Sequence, residues 1–553
     1  MVSTISILVQ ISCLLLYSHI GRADDVIVTT KNGQLLGSRY NITSDWSIDT
    51  FLGIPYGAPP TGLGRWNKST PAAPWSGIRS AKTFGNVCLQ GANPAWSPNE
   101  YNVTQSEDCL NLNIYGPRKS SDPALVPVMV YIHGGAFVNG AGLVVNGTQL
   151  SMKGVTVVTL NYRLGALGFL STEDQAAPGN FGLLDQLLAL QWVQDNIQAF
   201  GGDPGRVTVF GDSAGSASVS LLLTSPLSKG LFHAAICESG VGLANWAVAM
   251  KTDVLRPRDR ARLLGIGLGC IKATTQEVVD CLRTKDAEDI NKAVVKIALD
   301  RLMWSPVVDT FYQTVPDLPI NSWKNGKVMD VPVIRGTNSG EWAAYIAKIQ
   351  GNHSGIKASF FLEQIHEYVH QRFFKNRKVI EDDIKMVYAT PYNLSTPELV
   401  RDSFLQLVSD DLFTAPIVLE TQLDAKLGGN GKTYFYVFSY VSKNTLPKWE
   451  GAPHGYEKAF VFGEPFNKVL DYSNYTDIDC FFSLTMMEMW TNFAKYGDPT
   501  PQPLYGARWE PFTSVYNQSY FLLDSSTPKS HQNFRYEATK LWNVVIPALK
   551  KTI

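Results

Sequence analysis

A serine flanked by glycines at fixed offsets stands in "VTVFGDSAGSASVS", from Val207 to Ser220. A short alternating apolar run, Val207, Val209 and Phe210, breaks off in Gly211-Asp212-Ser213-Ala214-Gly215, and small residues fit to open a helix follow. A serine at such a strand-to-helix corner projects its hydroxyl off the end of the strand. Glycine two positions before and two after is needed because a side chain there would strike the adjoining strand or helix. The helix opening behind Ser213 aims its amides at any oxyanion formed beside it. This is equipment for covalent acyl transfer. An inert serine in a glycine turn has the same spelling, so the neighbours decide.

Upstream, "HGGAF" (His133 to Phe137) ends a second apolar, β-rich run, "VPVMVYI". Its glycine pair can supply a second set of oxyanion-binding amides. His133 is better read as support for that loop than as a base. A third signal is "QIHEYVHQRFF", a His-Glu-x-x-His pattern at His366, Glu367 and His370. On a helix the two histidines share one face, as in zinc proteases. A third ligand is also required, and no His-x-x-Gly-x-x-His extension follows. Glu381, Asp382 and Asp383 could be nominated, but nothing in the sequence selects among them. The segment is read as an amphipathic helix over the site, and neither a metal nor a cofactor is expected.

The elements that must position these groups follow from periodicity. "GVTVVTLNYRLG" (Gly154 to Gly165) and "AAICES" are further short apolar strands. Apolar residues recur at helical spacing from Leu183 to Phe200 and stop at Gly201-Gly202. Buried strands alternating with helices imply a mostly parallel sheet covered on both faces. Ligands of such sheets collect at the carboxyl ends of strands, where the Ser213 corner sits. The chain has 553 residues, 45% of them hydrophobic, which is ample for a large core. A formal charge of −1 and the lack of a basic tract exclude nucleic acid and an anionic membrane as partners.

Residues 1–23 are expected to be a secretory signal: the apolar run from Ile5 to Tyr17 is too short to span a bilayer and precedes Gly21-Arg22-Ala23. Asn-x-Ser/Thr acceptors at Asn41, Asn67, Asn102, Asn146, Asn352, Asn393, Asn474 and Asn517 agree with a secreted glycoprotein. So do the few cysteines beyond Cys13, which suit discrete disulfide staples. The C-terminal "WNVVIPALKKTI" carries no retention tetrapeptide, lipid-anchor signal or spanning helix. A secreted, extracellular protein is expected.

With "FLGIPYGAPP", "SEDCLNLNIY", "NYRLGALGFLS", "SPVVDTF", "GAPHGYEKAFVFG" and "WTNFAKYGDP", these motifs resemble the type-B carboxylesterase/lipase family, which includes cholinesterases and bile-salt-activated lipases. The resemblance covers nearly the whole chain. It implies an α/β-hydrolase fold, with a large mixed, mostly parallel sheet flanked by helices, in one domain over 24–553. It also implies a catalytic triad of Ser213, Glu341 and His454. Among the histidines, His19 falls in the signal, His353 inside a sequon, His233 on a structural segment and His531 in a polar stretch. His454, in "GAPHGYE", is where the resemblance places the base, on a loop that suits a shuttling imidazole. The acid is Glu341 by register with Asn338 in "GTNSGEWAAY". Gly340 and Trp342 depart from the family pattern there, and Asp309 in "SPVVDTF" is the alternative.

The resemblance places the oxyanion hole at the amides of Gly135, Ala136 and Ala214, with Ala136 standing where glycine is common. It pairs Cys88 with Cys109 and Cys270 with Cys281. A third bridge is missing, since Ala415 stands where a cysteine would be, and Cys237 is expected as a buried thiol, with Cys480 left over. The substrate pocket maps to Trp246, Leu302, Ala344, Tyr345 and Trp96. Leu302 and Ala344 in place of aromatics imply a roomy pocket for small, uncharged short- to medium-chain esters, hydrolysed through an acyl-enzyme. One alternative is a choline-ester hydrolase using Trp96 as a cation-binding face. Another is a protein like the neuroligins, adhesion proteins that share the fold but have lost the triad and typically carry a membrane span.

Overall fold

A computed structural model describes residues 23–92, 96–122, 124–253, 255–297, 304–343, 355–443, 451–466, 475–513, 518–524 and 529–551. Residues 1–22 of the expected signal, Leu302, Ala344, Tyr345, and the sequons at Asn352, Asn474 and Asn517 lie outside the described residues.

Twelve strands form the path of one sheet: β1 (Asp24–Thr30), β2 (Gly33–Asn41), β3 (Trp46–Pro55), β4 (Asn111–Lys119), β5 (Val126–Ile132), β6 (Thr156–Leu160), β7 (Gly202–Asp212), β8 (Ala234–Glu238), β9 (Val333–Asn338), β10 (Thr433–Phe438), β11 (Ser519–Leu523) and β12 (Lys529–Gln532). Their spatial order is β1-β2-β3-β4-β6-β5-β7-β8-β9-β10-β11-β12, and a short strand at Ile78–Ser80 pairs with β2. From β6 to β11 every pairing is parallel, with Val209 level with Val130 on one side and Ala235 on the other. The outer pairs are antiparallel. The sheet is large, mixed and mostly parallel, flanked by helices: the α/β-hydrolase architecture the motifs imply.

Alternation along the central strands builds a core on each face. Val128, Val130 and Ile132 of β5 join one apolar cluster with Val207 and Val209 of β7, while Met129, Tyr131 and Phe210 join the other. Each successive side chain points to the opposite face, so a strand buried on both sides reads as a continuous apolar run. On the first face lie α1 (Phe181–Asn196) and α2 (Ala214–Thr224). α1 carries Asp185 to meet Arg163 in a fully buried, two-pronged ion pair at 2.7 and 2.8 Å, with Ser69 donating to the same carboxylate. Removing one partner of such a pair typically costs about 3–5 kcal/mol. The expected helix from Leu183 to Phe200 is α1 followed by a tighter 3-10 turn, Ile197–Phe200, that ends on Gly201 at φ 80°.

α2 is buried along its whole length because its first turn lies directly on the sheet. A Cβ on Gly215 would overlap the Ile132 carbonyl oxygen and sit 2.8 Å from that of His133. Small residues in "AGSAS" are therefore a packing demand. Gly215→Ala is expected to destabilise by about 3 kcal/mol or more, since a rigid backbone cannot yield to the added methyl. Gly230→Ala, in open space at φ 80°, costs only its backbone strain, about 1–2 kcal/mol. Denaturant midpoints of the two variants check this; equal losses would refute it.

Candidate active site

β7 ends at Asp212, and Ser213 turns the chain into α2 with φ 56° and ψ −121°. This is a positive φ on a residue with a side chain, a conformation that costs free energy and that the surroundings must impose. They do: the Ser213 amide donates to the Glu238 carbonyl at the end of β8 (2.8 Å), and the glycines on either side admit the close approach of β5. The strand runs to the corner, so Ser213 stands at the carboxyl edge of the sheet.

Glu341 follows the end of β9 and is fully buried; His454 lies on the loop between Ala452 and the short helix Glu457–Val461. The Glu341 Oε2 and His454 Nδ1 atoms are 2.5 Å apart. The other carboxylate oxygen accepts from the Thr337 hydroxyl (2.9 Å) and the Asn338 amide (2.7 Å), so the acid is held on both arms. The two segments are also knitted by their backbones: the Gly340 amide donates to Ala452, and the Asn338 side chain donates to the Pro453 carbonyl at 2.7 Å. Asp309, the alternative acid, is spent on its own turn. Its carboxylate accepts the amides of Phe311, Tyr312 and Thr314.

Burial alone would lower the His454 pKa, but the Glu341 carboxylate outweighs it and holds the imidazole above its ordinary value. Three residues on, Glu457 is pushed up to about 7 by burial and the neighbouring Glu341 charge, while Asn338 donates to it at 2.5 Å. Among the described residues neither the Ser213 hydroxyl nor His454 Nε2 has a hydrogen-bond partner. Ligand-free hydrolytic sites commonly hold this contact loose.

The "HGGAF" loop carries Gly135, Ala136 and Phe137 at φ 112°, 55° and 61°. Three consecutive positive φ values turn the loop back on itself, and Gly135 accepts the Val138 and Asn139 amides. Among the described residues, the N–H groups of Gly135, Ala136 and Ala214 find no acceptor in the protein. Ala136 thus adopts the left-handed conformation that glycine would take without strain. His133 is buried, stacked on Tyr162 with ring centroids 4.4 Å apart, and its Nδ1–H donates to the Gly134 carbonyl. Burial drives its pKa down to about 4, so it stays neutral and supports the loop.

Asp212 binds these parts together. Its Oδ1 accepts the Tyr131 hydroxyl (2.5 Å) and the Gly134 amide (3.0 Å), while Lys458 lies 3.3 Å from Oδ2. Burial opposes its ionisation, yet Lys458 and these donors keep its pKa below the usual carboxylate range.

Of the expected pocket residues, Trp246 lies at the site. Its indole N–H donates to the Leu412 carbonyl, and its ring neighbours Phe137 and Phe413, at 6.5 and 5.8 Å. Phe413 stacks obliquely on His454 at 4.6 Å and was not singled out from the sequence. It sits in a π-turn, Asp410–Thr414, a widening that no apolar periodicity announces but that is frequent at functional sites. Glu457 was also missed, although its three-residue spacing from His454 could have drawn notice. Trp96 packs instead among Val87, Val103, Ala141 and Leu143, and among the described residues no ring contact links it to Trp246, Phe413 or His454.

Both expected disulfides are present, Cys88–Cys109 and Cys270–Cys281; Cys237 is a buried thiol, and the Cys480 thiol donates to the Pro465 carbonyl. Asn41, Asn67, Asn102 and Asn146 are exposed and Asn393 is half-buried. Among the described residues no helix is long and apolar enough to cross a membrane.

Residues 24–542 match the description of the carboxylesterase family. The chain is similar to neuroligin-3 of Mus musculus (34% identity over 577 residues, covering 94% of this chain and 69% of the relative). It is also similar to neuroligin-2 of Homo sapiens (33% identity, covering 95% and 68%) and of Rattus norvegicus (34%, covering 95% and 68%).

Two variants separate the acids. Glu341→Gln is expected to lower kcat for an activated ester by about 10,000-fold, as the amide swap does in serine proteases by favouring the wrong imidazole tautomer. Asp309→Asn should lower the melting temperature and leave kcat near normal. Ester turnover and thermal melts of both variants check this, and the opposite pattern would make Asp309 the acid. The pH dependence has a definite sign as well. A base must be neutral, so kcat/KM should fall as pH drops through the raised His454 pKa, with the acid limb above the ordinary imidazole value of about 6.5. A limb below that value would mean that Glu341 does not face a protonatable His454 in solution.

Proposed function

Because this chain belongs to the carboxylesterase family, we propose that it is a serine ester hydrolase acting through Ser213, His454 and Glu341. The observation that carries the reading is the Glu341–His454 contact, made by a fully buried carboxylate whose remaining oxygen is already occupied. A merely structural histidine has no need of a buried acid held so tightly on Nδ1. Nε2, with no hydrogen-bond partner among the described residues, is then left to take the proton of Ser213 as its Oγ attacks the ester carbonyl. The tetrahedral oxyanion lies among the Gly135, Ala136 and Ala214 amides, which have no competing acceptor among the described residues. Collapse expels the alcohol, which takes its proton from His454 and leaves an acyl-Ser213. Water, deprotonated by His454, then releases the acid and restores the serine proton.

Trp246, Phe137 and Phe413 give the site apolar walls, and Ala344 offers no π-face to a cationic head where an aromatic would be expected, which supports uncharged short- to medium-chain acyl groups over a choline head. Each methylene that finds apolar surface contributes about 0.8 kcal/mol, so kcat/KM should rise from acetyl to butyryl esters. Exposed sequons and two disulfides favour action outside the cell. A second reading has its own support: the relatives named neuroligins match the chain almost end to end, so a surface for protein partners is the alternative.

Ser213→Ala discriminates between the two. For an esterase, the wild type should give a burst of p-nitrophenol and covalent labelling by an organophosphate, while the variant gives neither but melts at the same temperature. Acetylthiocholine should be a poorer substrate than p-nitrophenyl butyrate. No turnover by the wild type on any acyl length would leave the partner-binding reading standing.

A further inference from the structure

We propose that His366, His370 and Glu381 form a binding site for a zinc-type divalent cation that clasps two helices together and takes no part in the Ser213 chemistry. The helices are α3 (Ala358–Arg372) and α4 (Arg377–Tyr388). They pack through Phe361, Ile365 and Val369 on one and Ile380, Ile384 and Tyr388 on the other, all buried in a single apolar cluster. Each of the three candidate ligands directly follows one of these core residues: His366 after Ile365, His370 after Val369, Glu381 after Ile380. One step along a helix is a rotation of about 100°. All three side chains therefore emerge on the rim of the seam, where the packed cores fix the spacing of their Cα atoms.

The side chains converge as that placement requires. A ligand atom from each lies within 4.8 Å of the others. The two imidazole rings are 4.1 Å apart, and His366 Nδ1 is 3.1 Å from Glu381 Oε2. Tetrahedral zinc with bonds of about 2.0–2.2 Å sets its ligands roughly 3.3–3.5 Å apart, so a modest side-chain turn closes the site. His366 is free to make it, being 56% exposed, whereas Glu381 is held beneath it at 10%. Lys385 binds the far oxygen of Glu381 at 2.5 Å. That leaves Oε2 for the cation. Two imidazoles and one carboxylate select zinc, nickel or copper over calcium or magnesium, which want oxygen alone.

The sequence offered the two histidines and three candidate acids without choosing among them, and the hairpin of α3 and α4 chooses Glu381. The pattern does not thereby become a protease. Glu367, the residue such enzymes use as base, is exposed and accepts from Gln364 on its own helix. With water completing the coordination, the ion is a cross-link between α3 and α4.

The test uses the full-length protein stripped by chelation and titrated with Zn2+ against a chromogenic chelator. One equivalent should bind per chain, and Zn2+ should raise the melting temperature. His366→Ala and His370→Ala should each weaken binding by at least the roughly 10–100-fold that loss of an outer-shell partner costs, and should abolish the melting shift. Glu381→Gln supplies a third variant, and Co2+ loaded in place of zinc should show visible absorption bands in the wild type that vanish in all three. Ester turnover should be unchanged in the histidine variants and by chelation. Zinc binding that survives both histidine substitutions, or no zinc retained by the wild type in competition, would overturn the proposal.

Discussion

The Asp212 carboxylate is the contact on which the arrangement of the site depends. A buried carboxylate is costly unless its lone pairs are used, and here each oxygen is claimed by a different part of the fold. Oδ1 takes the Tyr131 hydroxyl from the carboxyl end of β5 and the Gly134 amide from the loop that follows it. Oδ2 faces Lys458, four residues after His454. Asp212 itself sits one residue before Ser213. A single side chain thus sets the distance between the serine corner, the loop with unclaimed amides and the histidine segment. Lys458 is half-buried, and loss of solvent would lower its pKa, yet Asp212 holds it charged. Neither ion is tolerable without the other, so the three segments are joined by mutual need.

The same economy explains the strain. Ser213, Ala136 and Phe137 hold positive φ values that open chain would abandon. At Ser213 the distortion is paid for by the dense backbone meeting of β5, β7 and α2, where glycine is compulsory. At Ala136 and Phe137 it is sustained by the inward-folded loop and by Phe137 packing fully buried against Phe169 and near Trp246. Strain held this way keeps amides pointing into space, and such preorganised donors are worth most in a site that excludes water.

Much of this was legible in the sequence because it is local. The glycine spacing around Ser213, the apolar runs of β5 to β8 and the helical period of α1 are short-range demands that residues advertise directly. The register of Glu341 was legible only through resemblance. Thr337 and Asn338 hold it locally, but its contact with His454 joins segments more than a hundred residues apart. Phe413 was illegible because a π-turn breaks the period that would have revealed which way its ring faces. Trp96 packs among Val87, Val103, Ala141 and Leu143, a cluster that its position in the sequence did not announce. The pair His366 and His370 was plain, but their third partner needed a helix hairpin that no single-helix pattern contains.

Similarity to proteins called neuroligins over most of the chain poses the hardest question about function, and its answer turns on what identity of about a third measures. The residues that hold this fold together are its packed strands, the Arg163–Asp185 pair, the glycines under α2 and the Asp212 clasp. All are needed whether or not an ester is ever cleaved. Chemistry needs only a few groups more. A chain that had left catalysis would be under no demand to keep a fully buried Glu341 against His454, because a buried acid without a task is a standing cost to stability. Here that acid is retained, doubly bonded on one oxygen and facing an imidazole on the other, beside a serine that the backbone strains to expose. The buried Glu341 held against His454, together with the strained Ser213 corner, is the physical ground on which the proposed chemistry stands beside that similarity.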